Sequence, residues 1–128
     1  MDQLLRDDQV NNFLWNKIWK RELFRDVVFP EGRTFEDVAV VYKLFERATT
    51  VVCLPEKKYH YLQHSNSIMD NQSLKNKADF YFAAKQRMID LEPRWEQYSE
   101  LLQASCVVAA VGVWAAYCFN SREERGKY

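Results

Sequence analysis

A mainly α chain with a minor two-stranded β element is what the sequence predicts. Three observations carry that expectation. Apolar residues recur at helical spacing in four stretches. A β-branched run and a tyrosine-alternating run flank a proline turn, as in a short hairpin. The chain has 128 residues, of which 48% are hydrophobic and 15% aromatic, which suits one modest core.

Taken in order, Asp8 to Phe24 is predicted as a helix, because Leu14, Trp15, Ile18, Trp19 and Leu23 form one apolar stripe. Lys17, Lys20 and Arg21 lie off the stripe and read as a solvated face. Val27 to Phe29 is a short extended run stopped by Pro30, and Pro30-Glu31-Gly32-Arg33 is a turn. Thr34 to Ala48 is the next helix, with Phe35, Val38, Tyr42 and Phe45 on one side and Thr34 placed to cap it. Thr49 to Leu54 and Lys58 to Leu62 are the two expected strands, joined through Pro55-Glu56-Lys57. After a polar loop, Ser73 to Leu91 returns to helical spacing. Pro93 then suits the start of a last helix reaching Phe119, since its missing N–H costs nothing there.

Composition narrows the function classes. Eighteen basic residues balance eighteen acidic ones, so no basic surface points to nucleic acid. Cys53, Cys106 and Cys118 form no CxxC pair and are read as buried thiols in a reducing compartment. The start, MDQLLRDDQ, is acidic where a signal peptide would be basic. Together these point to a cytoplasmic chain.

The segment from Phe13 to Ile68 carries more. It reads FLWNKIWKRELF, then VVFPEGRTFEDVAVVYKLF, then VVCLPEKKYHYLQHSNSI. These three blocks, in this order, resemble the C-terminal half of family 2 glycosyltransferases that build bacterial surface polysaccharides. In that family a "w-nK-l-rrelf" helix leads to an "F-p-eG---ED" turn and helix, then to a "Y-Y-----SI" strand and loop. The resemblance implies a GT-A type fold, with residues 1–70 as the acceptor-side tail of the catalytic domain and 71–128 as a C-terminal helical pair. It also implies inverting transfer from a nucleotide-sugar to a glycan acceptor in polysaccharide or lipopolysaccharide biosynthesis. A divalent metal, Mg²⁺ or Mn²⁺, would sit on a DxD motif. This sequence contains no DxD and no Gly-rich phosphate turn. The expected partner is therefore a nucleotide-binding half absent from this chain, which alone should be inactive and bind no metal.

Inverting transfer needs a base for the attacking hydroxyl. By resemblance Asp37 is that base, and Glu36 shapes the acceptor site. Thr34-x-x-Asp37 equally fits a capping box, in which the carboxylate satisfies the helix start. Tyr59 and Tyr61 share one strand face and suit either a sugar ring or core closure. Gln63 and His64 follow them. His64 could ligate metal or meet phosphate, or it could be a loop histidine. Trp15 and Trp19 read as core or interface, and Ser67 as a loop stabiliser.

Cys106 to Phe119 runs fourteen residues without a charge, about 21 Å of helix against a hydrocarbon core of about 30 Å. It fits a helix buried on all sides or a packing interface better than a full membrane span, and contact with a membrane surface is what the resemblance implies. Apolar surface left open by a missing half predicts a homodimer of the isolated chain. A helical interaction module without chemistry is the alternative reading.

Overall fold

The computed structural model describes residues 1–8, 10–62 and 73–120. Among these residues four α-helices follow in order: α1 (Asp2–Arg6), α2 (Glu36–Arg47), α3 (Leu74–Asp90) and α4 (Trp95–Phe119). Short 3-10 turns occupy Arg21–Phe24 and Glu92–Arg94. The mainly helical expectation holds.

The long helices form where apolar periodicity and end signals agree. Ser73 caps α3, its hydroxyl accepting from the Asn76 N–H at 3.3 Å. Pro93 lies in the 3-10 turn that opens α4. A connection this short makes α3 and α4 antiparallel neighbours. Leu4 and Leu5 of α1, Val41 and Tyr42 of α2, Leu91, and Tyr98 and Leu102 of α4 close the main core. Val38 and Ala39 meet Ala83 of α3 in a second cluster bordered by Phe35 and Phe80.

Two expected elements do not form among the described residues. Asp8 to Phe24 is not a helix. The Lys17 ammonium donates to the Asn11 and Phe13 carbonyls at 2.7 Å each, and these oxygens would otherwise accept helical bonds. Asp7 and Asn12 pair locally as well, at 3.0 and 3.1 Å, in the manner by which Asp and Asn oppose helix. Trp19 instead packs edge-on against Phe24 and Phe45, and Arg47 at the end of α2 donates to the carbonyls of Leu23 and Arg25. Lys17 is thus a loop anchor and not part of a solvated face.

The two-stranded element is also missing. Residues 49–62 are exposed throughout and carry no strand. β-preference expresses packing on a half-buried surface, and a lone hairpin without one is marginal. The cysteines are not buried thiols either: Cys53 and Cys118 are exposed and Cys106 is half-buried, all three free.

Candidate functional site

Asp37 stands in the first turn of α2. Phe35, the residue before the helix, adopts a left-handed conformation (φ 61°, ψ 34°), which is uncommon for a bulky side chain. This bend, and not a Thr34 cap, starts the helix. The Thr34 hydroxyl and N–H turn instead to Asp79 of α3, at 3.2 and 3.1 Å. The capping box therefore does not form. Asp37 Oδ1 accepts the N–H of Val38 at 2.8 Å. Burial pushes its carboxyl above the ordinary value, opposed by that hydrogen bond and aided by the negative fields of Glu36 and Asp7. Glu36 is exposed on the same turn.

Lys17 faces this carboxylate electrostatically. Burial lowers the affinity of its ammonium for the proton, while Asp7 and Asp37 oppose that shift. Its third bond, to Asn16 Oδ1 at 2.7 Å, completes a fixed cradle. Two residues away, Trp15 stacks on Phe13 with centroids 4.9 Å apart. It also lies 4.6 Å from Tyr59 and 4.9 Å from Tyr61, nearly parallel to the latter at 7°. Tyr59 and Tyr61 thus meet Trp15 on the surface instead of closing a core. Each of the three rings keeps an open part, at 40 to 54% exposure.

The structure brings together Asp37 and Glu36 on one turn, and Tyr59 and Tyr61 on one tryptophan. Gln63, His64 and Ser67 lie outside the described residues. Lys17, Asp7, Phe13 and Trp15 were not picked out as site residues, although Trp15-Asn16-Lys17 is the "w-nK" block of the resemblance. The position of Lys17 in that block was the available signal.

The divalent metal implied by the resemblance finds no ligand set among the described residues, and His64, the ligand the sequence offers, lies outside them. No group of three His, Cys, Asp or Glu side chains that could hold a metal occurs among the described residues. Asp7 and Asp37 share their field with the Lys17 ammonium, which disfavours a cation.

A concavity of about 330 Å³ opens between α2, α3 and the Pro30–Arg33 turn, lined in part by Arg33, Phe35, Lys43, Asp79 and Phe82. Asp79, 6% exposed, organises its rim. It accepts from Lys75 at 2.5 Å and from Thr34, and pairs with Arg33 at 3.6 Å. Burial pushes its carboxyl up, but the bonds from Lys75 and Thr34 win and hold it below the ordinary value. Arg33 also lies over the Phe82 ring at 4.5 Å. Asp37 does not line this cleft.

No protein-family model matches the chain, and no solved structure matches it. Over 53 residues, 41% of its length, the chain is 38% identical to the glycosyltransferase GlyG of Streptococcus pneumoniae serotype 4 (strain ATCC BAA-334 / TIGR4). It spans 18% of that relative's length. This partial likeness indicates a relationship to glycosyltransferases.

Proposed function

We propose that this chain is the acceptor-side part of an inverting glycosyltransferase of family 2 and GT-A type, with Asp37 as the base. The carrying observation is the Asp37 carboxylate, half-buried and made more basic by burial, in a turn that Lys17 faces. A base poised above the ordinary aspartate value accepts a proton more readily at the moment of transfer.

In the reaction the acceptor hydroxyl oxygen attacks the anomeric carbon of the donor sugar. The new C–O bond forms as the bond from that carbon to the diphosphate oxygen breaks, and the electron pair leaves with the diphosphate. The hydroxyl proton passes to Asp37. Tyr59, Tyr61 and Trp15 offer ring surface to an acceptor sugar, and Glu36 supplies a second acceptor for its hydroxyls. Donor binding belongs to a nucleotide-binding half that this chain does not carry, so residues 1–70 act with that half and residues 71–128 extend it. The product is an elongated polysaccharide or lipopolysaccharide glycan.

Transfer from UDP-, GDP- and dTDP-sugars, assayed with the longer polypeptide that contains this chain, tests the proposal. Asp37→Asn should lower kcat by about 10²–10⁴. Unchanged turnover in that variant overturns the role of Asp37. Calorimetry of the chain alone with the same donors and Mn²⁺ should give no binding tighter than millimolar.

A further inference from the structure

The C-terminal half of α4 is an apolar surface that nothing among the described residues covers. Tyr98 and Leu102 of α4 enter the core shared with α1 and α2, and Ala109 and Ala116 are its buried positions farther along. Val107, Val108, Val111, Trp114 and Phe119 stand in solvent, Trp114 at 69% and Phe119 at 90% exposure. The expectation of a helix buried on all sides is therefore corrected: the helix is long and apolar, yet little of it is buried. Monomeric proteins rarely leave such a patch bare.

We propose that this face of α4 seats on the surface of a lipid bilayer, with the helix lying in the membrane plane. Four features favour lipid over a protein partner. At 3.6 residues per turn, the exposed apolar side chains fan over an arc of about 140°, wider than the narrow seam of a helix pair. Apart from Trp114, Tyr117 and the Cys118 thiol, the run from Cys106 to Phe119 offers no side-chain polar group outward. Protein interfaces carry about one hydrogen bond per 100–200 Å², whereas a bilayer needs no register. Indole and phenol rings settle at the headgroup level.

Cations flank the run. Lys77 of α3 lies over Gly112, its Cδ 3.7 Å from where a Cβ would stand. Lys85, exposed on the same helix, acts electrostatically on Cys106. Long lysine stems cover apolar surface while their ammonium groups reach anionic headgroups. By length and composition Glu92–Phe119 is long and apolar enough to cross a membrane, but the distribution of its polar residues favours a different seat. The uncharged run covers about 21 Å against about 30 Å of hydrocarbon, and Glu96, Gln97, Glu100 and Gln103 stand exposed on the half before it. With α3 packed along one side, the helix offers a bilayer one face instead of its full circumference.

Flotation of the full chain with phosphatidylcholine vesicles, with and without about one-third phosphatidylglycerol, tests this. The chain should float with the anionic vesicles and less with neutral ones. A Trp114→Phe difference spectrum should assign a lipid-induced blue shift of emission to Trp114. Val107→Glu/Val111→Glu, at positions that touch solvent, should reduce partitioning by at least about tenfold with unchanged helix content and Tm. A chain that stays in the supernatant with both vesicles overturns the proposal, as does a double variant that floats like the parent. A lipid-free dimer split by the same double variant assigns the face to a second copy and overturns it equally.

Discussion

The sign of the shift at Asp37 separates a base from a cap. Its folded-state value is raised, so the folded chain holds that proton more tightly than the unfolded one. The stability it contributes therefore grows as pH falls from the raised value toward the ordinary one, and ionised Asp37 is a cost at neutral pH. Asp37→Asn should leave Tm at pH 7 unchanged or higher while transfer falls. A helix cap would behave oppositely, losing about 1 kcal/mol. Carboxyl-carbon NMR of the chain should place the Asp37 midpoint above the ordinary value of about 3.9, and a midpoint below it would remove the argument from burial. Glu36-Asp37 was legible in the sequence as a candidate pair. Lys17 was not, because its role rests on loop carbonyls that a helical reading leaves inside a helix.

Packing between α3 and α4 holds an ionic residue at an apolar contact. Arg87 is 3% exposed, and Nη2 donates to the Ser105 hydroxyl at 2.8 Å. Its Nε and Nη1 are buried without a hydrogen-bond partner, and burial pulls its proton affinity down. A buried charge so incompletely satisfied is often replaceable by an apolar side chain at no loss. Arg87→Met should therefore match or exceed the parent in urea midpoint. Leu102→Ala, in the same interface and 1% exposed, should cost about 2–5 kcal/mol. These helices were visible in their spacing, but the buried position of Arg87 was not, since periodicity places Arg87 within reach of either face. The Lys58–Leu62 segment illustrates the reverse case: alternation suggested a strand, and among the described residues no neighbouring strand or half-buried surface holds it.

Across the whole molecule, two carboxylates tie distant segments together. Asp79 joins α3 to the Pro30–Arg33 turn, and Asp90 joins α3 to α2 through Tyr42 at 2.5 Å and Lys43 at 2.8 Å. Burial raises both, but hydrogen bonds from Lys75 and Thr34, and from Lys43, Tyr42 and Gln86, hold both below the ordinary value. Their stabilisation is present above about pH 3.9 and is lost as pH falls through the lowered values. Asp79→Asn/Asp90→Asn should thus be less stable at pH 7, Asp79 alone contributing about 1.5–3 kcal/mol, and its urea midpoint should vary less between pH 5 and 2. An acid limb as steep as the parent's would show that other groups govern acid unfolding.

The sequence by itself determined the helical class and the extents of α2, α3 and α4, because apolar spacing, Ser73 and Pro93 act locally. It also pointed to the Glu36-Asp37 turn through the order of three short blocks. Only the tertiary structure decided that residues 8–24 fold around Lys17, that Tyr59 and Tyr61 stack on Trp15, and that Thr34 serves Asp79 instead of the helix start. It alone decided which face of α4 is covered. The physical reason is common to all four: each depends on a partner distant in sequence or on a choice among carbonyls, and neither is encoded in the period of a single segment.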